Sequence, residues 1–144
     1  MIYYFDTSAL VKKYAVETGT KQVVGLFGED VPAATSILTY PELIAGVGRK
    51  KRDGEIAEKD HRALLAKFEA DWLAFLIVEF QDALLPIQKR LSSRHPLKGA
   101  DLVHLSSLLW LKDASQEDVA LVASDVQLLQ AAKREGVEII NPEA

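Results

Sequence analysis

The chain contains no cysteine. Disulfides are excluded, and so is any metal site built on thiolates. Long apolar runs are missing as well. The longest, over residues 72–78, falls far short of what a bilayer-spanning helix needs. The start of the chain has no basic stretch, and Asp6 interrupts its hydrophobic opening, so it does not read as a secretory signal. With neither span nor export signal, the expected location is the cytoplasm, away from membranes. A surplus of positive charge is also lacking, the formal net charge being −4. Proteins that hold nucleic acid through a general electrostatic footprint usually carry excess Lys and Arg. Any nucleic-acid chemistry here must therefore come from where charge is placed rather than from its sum. Gly and Pro are scattered, and there is no internal repeat or low-complexity segment.

What is present is an ordinary globular composition in 144 residues, with 49% hydrophobic and 26% charged. That size fits one domain with a real core, expected over residues 1–144. Short runs rich in β-branched and aromatic residues predict strands over 2–5, 31–38, 76–80, 119–123 and 137–140. Helical spacing of apolar residues predicts helices over 8–15, 21–27, 39–52, 55–75, 81–93, 100–112 and 125–134. Gly136 stands where a helix C-terminus wants a left-handed residue. Strands alternating with helices predict a central parallel sheet covered on both faces, a three-layer α/β/α architecture. The two helices around residues 40–75 are expected to form an arm or side layer.

Four acids recur at comparable places. Asp6 ends the first strand, and Asp125 follows the fourth in LVASD. Glu42 and Asp101 fall in the first turns of helices. Each has a bland explanation, because acids at helix starts suit the free N–H groups and the macrodipole. Thr39 to Glu42 and Ser124 to Gln127 both fit the capping-box pattern. Jointly they say more. Ligands of parallel α/β sheets bind beyond the carboxyl ends of the strands, where strand order reverses. If the first and fourth strands are neighbours there, Asp6 and Asp125 approach each other. Clustered carboxylates repel unless a cation holds them, and hard oxygen donors without Cys suit Mg²⁺ or Mn²⁺.

Four stretches carry a resemblance: YYFDTSALVKKY, TSILTYPELIAGVGR, LKGADLVHL and LVASDVQLLQAAKREGVEIINP. In this order and spacing they resemble the signature blocks of the PIN domain, and most of all the VapC-type toxins of toxin–antitoxin pairs. The resemblance covers nearly the whole chain. It implies a PIN-like fold and an endoribonuclease dependent on Mg²⁺ or Mn²⁺, leaving 5′-phosphate and 3′-hydroxyl ends. The family's acidic residues fall on Asp6, Glu42, Asp101 and Asp125, as metal ligands and catalytic residues, and its accompanying hydroxyl falls on Ser8. It further implies a structured RNA target such as transfer or ribosomal RNA, a homodimer, and inhibition by a cognate antitoxin. One position departs from the pattern. Many relatives have Thr or Ser two residues before the last acid, and here that residue is Ala123.

In this reading Asp6, Asp101 and Asp125 hold an ion that activates water, Glu42 and Asp6 are candidates for a second ion, and Ser8 orients a carboxylate. Lys12, Lys13, Arg94 and Lys98 are candidate phosphate contacts. The basic run Arg49 to Arg52 reads first as a solvated helix end. His104, three residues after Asp101, reads first as a satisfied, partly buried histidine. Trp72 and Phe75 read as core or dimer contacts rather than base-stacking platforms. A haloacid-dehalogenase-type phosphatase fits poorly, because Ser8 stands where that chemistry needs a second Asp. A housekeeping RNA-processing nuclease and an inactive RNA-binding scaffold on the same fold remain open.

Overall fold

The computed structural model describes all residues, Met1 to Ala144. Five strands form one sheet: β1 (Ile2–Phe5), β2 (Ala33–Ser36), β3 (Leu76–Val78), β4 (Val119–Val122) and β5 (Glu138–Ile140). Their order is β3-β2-β1-β4-β5, and every pairing is parallel. The chain builds outward from β1 in one direction through β3, then returns to build β4 and β5 on the other side. Strand order therefore reverses between β1 and β4, where Phe5 is in register with Val122.

Seven helices complete the chain: α1 (Thr7–Val11), α2 (Thr20–Phe27), α3 (Thr39–Arg52), α4 (Glu58–Trp72), α5 (Leu84–Arg94), α6 (Gly99–Ser115) and α7 (Val126–Arg134). The period-two alternation of the strands decides which helices go where. Ile2, Tyr4, Val119 and Leu121 point to one face and pack with Leu91, Leu105, Leu108 and Leu128 of α5, α6 and α7. Phe5 and Val122 point to the other and pack with Leu10, Val23, Leu43, Val47 and Phe68 of α1 to α4. The result is the three-layer α/β/α arrangement that the alternation of elements predicts.

The α3–α4 pair is a side layer rather than a detached arm. Leu64 and Phe68 are buried in the same cluster as Phe5. Phe68 also meets Tyr14, Tyr40 and Trp72, and Trp72 meets Phe75, with ring centroids between 5.4 and 6.2 Å apart. Trp72 and Phe75 thus belong to the apolar layer. No helix is long and apolar enough to cross a membrane.

Several boundaries are shorter than the sequence suggests. β2 is four residues where eight read as extended, because Ile37 and Leu38 turn into α3. α1 stops at Val11 where the apolar pattern runs to Ala15, and α4 begins at Glu58, three residues late.

Candidate metal and phosphodiester site

The site grows from the ends of β1 and β4. Asp6 leaves β1 in extended conformation and caps α1, its Oδ1 accepting the Ala9 N–H at 2.9 Å. The Ser8 hydroxyl lies 3.1 Å from both Asp6 oxygens, as a donor. These bonds fix one rotamer for a carboxylate that is only 6% exposed. Asp125 is the N-cap of α7 and accepts the Leu128 N–H at 2.9 Å. Asp101 lies in the first turn of α6.

Glu42 is the acid whose local role differs from the sequence reading. Thr39 is not an N-cap but the first helical residue, and the cap position falls on Leu38, which has no side-chain cap bond. The Thr39 hydroxyl pairs instead with Thr35 at 2.7 Å, and Thr35 donates to the Phe5 carbonyl at 2.7 Å. Glu42 is therefore free of the helix end. Its Oε1 accepts the Thr7 hydroxyl at 2.5 Å and lies 3.4 Å from His104 Nε2. The second proposed capping box also dissolves, since Asp125 itself is the cap. Ser124 Oγ is buried without a partner, so it does not replace the hydroxyl missing at Ala123.

Asp6, Ser8, Glu42, Asp101 and Asp125 all line one cleft of about 540 Å³. It lies beyond the carboxyl ends of β1 and β4, at the reversal point, where an α/β sheet binds its ligands. Thr7 and His104 complete its floor, and Arg49 of α3 and Lys98, the N-cap residue of α6, stand on its wall. Small residues, Ala45, Gly46 and Ala100, keep it open.

The acids do not share one electrostatic state. Burial pushes the Asp6 carboxyl up, against the opposing hydrogen bonds of Ala9 and Ser8, and Asp101 adds repulsion. Burial also raises Asp101, and repulsion from Asp125 raises it further. Glu42 goes the other way, held below the usual carboxylate range by the hydrogen bond from His104 and by Thr7. Repulsion thus runs from Asp6 to Asp101 to Asp125. As placed, no three His, Asp or Glu side chains are grouped closely enough to form a ready ligand cage. Cation binding would need side-chain rotation. The donor set fits a hard divalent ion nonetheless, being carboxylate oxygens, with the charged forms of Asp6 and Asp101 disfavoured by burial and by repulsion.

Of the four basic residues singled out for phosphate, only Lys98 reaches the cleft. Lys12 is buried between Glu17 at 2.9 Å and Glu143 at 3.0 Å. Lys13 pairs with Asp71 at 2.7 Å and sits over the Phe27 ring. Arg94 pairs with Glu135 at 3.4 Å. Arg49, read from sequence as a solvated end, is the second cation at the site. Thr7 was not singled out by the sequence at all. The only signal was its place beside Asp6, and its partner is thirty-five residues away.

Comparison with known proteins agrees with this architecture. The PIN domain model matches residues 3–140. Two curated relatives from Mycobacterium tuberculosis, Ribonuclease VapC45 and Ribonuclease VapC49, are each 33% identical over 112 residues, which is 78% of this chain and 78% of theirs. Among solved structures, the chain is similar to FitAcB from Neisseria gonorrhoeae, with TM-score 0.70, 18% identity and 98% of both chains covered. It is also similar to VapBC2 from Rickettsia felis bound to a DNA fragment from its promoter, with TM-score 0.64, 17% identity and the same coverage.

Proposed function

The chain belongs to the PIN domain family, and from that premise we propose that it is a metal-dependent endoribonuclease of the VapC type, the toxin of a toxin–antitoxin pair. The observation that carries this reading is convergence. Four acids from β1–α1, α3, α6 and β4–α7 line a single cleft at the sheet's reversal point. A scaffold gains nothing from carboxylates that burial and mutual repulsion disfavour, as at Asp6 and Asp101.

Asp6, Asp101 and Asp125, with Glu42, would hold Mg²⁺ or Mn²⁺. When bound, the ion supplies an acidified water for attack on the phosphodiester and offsets charge on its oxygens. The chain's own residues do the rest. The Ser8 hydroxyl and Ala9 N–H fix the Asp6 rotamer. Arg49 and Lys98 meet phosphates of an RNA strand crossing the open cleft, a contact that is salt-sensitive. In this reading the partners are an RNA substrate such as transfer or ribosomal RNA, an antitoxin that covers the cleft, and a second copy of the chain, and the setting is the cytoplasm.

The test is to incubate the purified, antitoxin-free protein with total cellular RNA from its own source in Mn²⁺ and to map new 5′-phosphate ends. Discrete ends that vanish with EDTA and with Asp101→Asn are expected. No new ends, from folded protein free of inhibitor, overturn the reading.

A further inference from the structure

The reaction described above assigns no task to His104, although it is 3% exposed and lies on the cleft floor. Its two ring nitrogens have different surroundings. Nδ1 lies 2.9 Å from the hydroxyl of Tyr4, a residue with no exposed surface. Nε2 lies 3.3 Å from Thr7 Oγ1 and 3.4 Å from Glu42 Oε1.

The protons around Nε2 can be counted. Thr7 Oγ1 and Glu42 Oε1 are 2.5 Å apart. Between a hydroxyl and a carboxylate, that contact uses the one proton Thr7 has. Thr7 then offers His104 only lone pairs, and Glu42 offers only lone pairs too. An unprotonated Nε2 would point its own lone pair at both, a repulsion that low dielectric magnifies. Nε2 must therefore carry a proton. With its one ring proton on Nε2, the imidazole leaves Nδ1 to accept from Tyr4. The nearby hydroxyls are already committed: Thr35 donates to the Phe5 carbonyl and Thr39 therefore to Thr35, so Thr39, 3.3 Å from Thr7 Oγ1, supplies that oxygen no proton.

We propose that His104 is a positioning residue for Glu42: Tyr4 holds it as the Nε2–H tautomer, and it donates into the Thr7–Glu42 pair, fixing that carboxylate at the cleft. The chain of bonds runs from β1 through α6 and α1 to α3, so four elements agree on where one acid points. The use to which Glu42 is put rests on the nuclease reading, whereas the tautomer and the orientation do not.

The first test is ¹⁵N NMR of the imidazole in metal-free, ¹⁵N-histidine-labelled protein. His104 should show a protonated Nε2 and a hydrogen-bonded, unprotonated Nδ1, and Tyr4→Phe should weaken that preference. An Nδ1–H tautomer, or a doubly protonated ring, overturns the proposal. The second is Mn²⁺ affinity measured by electron paramagnetic resonance. Loss of an outer hydrogen bond to a metal ligand typically costs roughly 10–100-fold. His104→Leu should weaken binding by that factor and His104→Gln, which keeps a donor, should largely restore it. Equal affinity in wild type and His104→Leu overturns the proposal. If His104→Leu does not fold, Tyr4→Phe carries the same comparison. Wild-type protein that binds Mn²⁺ with the expected tautomer but leaves RNA intact would sink the nuclease reading alone.

Discussion

At the level of single residues, the cleft sets carboxylates against one another. Asp6 and Asp101 are raised chiefly by burial, so the folded chain binds protons there that the unfolded chain has released. Groups of this kind oppose folding above their raised values and stop doing so as pH falls through them. Asp101→Asn should therefore raise the melting temperature of metal-free protein at neutral pH, with the gain shrinking on mild acidification. A variant less stable than wild type in EDTA would contradict this. The same variant should lower RNA cleavage by at least roughly 10²-fold, because a catalytic ion supplies several kcal/mol of charge stabilisation. Ser8→Ala removes only a donor to Asp6, so a smaller loss of roughly 10-fold is expected, measured as turnover at saturating Mn²⁺. The four acids of the cleft were legible in sequence because type and position coincided, just after strands or in first helical turns, and Ser8 was legible through the PIN resemblance. Thr7 and Arg49 were not. A hydroxyl beside a stronger candidate and a cation in a basic run look the same whether they face a site or solvent.

At the level of elements, the ends were harder to read than the bodies. α3 is found over the predicted residues, since its apolar stripe and basic last turn agree on where it stops. α1 and β2 are shorter because their apolar residues continue into turns, which periodicity alone does not separate. The capping-box pattern misled at both places, because Thr39 bonds Thr35 and Glu42 bonds Thr7 in the first, and Asp125 rather than Ser124 caps α7 in the second. Two helix ends give opposite stability predictions. Gly136, after α7, has φ +81°, and Gly136→Ala should cost about 1 kcal/mol in urea unfolding. Gln116 closes α6 with φ +56°, so Gln116→Gly should be neutral or stabilising by up to about 1 kcal/mol in the same assay. A stabilising Gly136→Ala would show that the loop can rearrange.

At the level of the whole molecule, two helices, α5 and α7, are tied together on the side opposite α1 to α4. Glu135, after α7, accepts from Arg90 at 2.8 Å and contacts Arg94 and His95 of the α5 end, the last at 2.7 Å. Burial pushes Glu135 up, but these donors more than offset it and hold it below the usual carboxylate range. Its contribution is present above the unfolded carboxylate pKa and is lost as pH falls through the lowered value. Glu135→Gln should cost about 1–3 kcal/mol at neutral pH and nothing at strongly acid pH, checked by denaturant titration at both. The alternation of strands and helices made the layers legible in sequence, but nothing in it announced this cluster, in which Glu135 stands 40 to 45 residues from its partners.

The central claim is that this sheet edge is a divalent-cation site, and the most direct test is anomalous diffraction from crystals soaked in Mn²⁺. The account predicts a peak in the cleft, with carboxylate oxygens of Asp6 and Asp101 among its ligands and Asp125 or Glu42 beside them. Crystals with the cleft open to solvent and no anomalous peak there, at Mn²⁺ concentrations that support any measured cleavage, would contradict it.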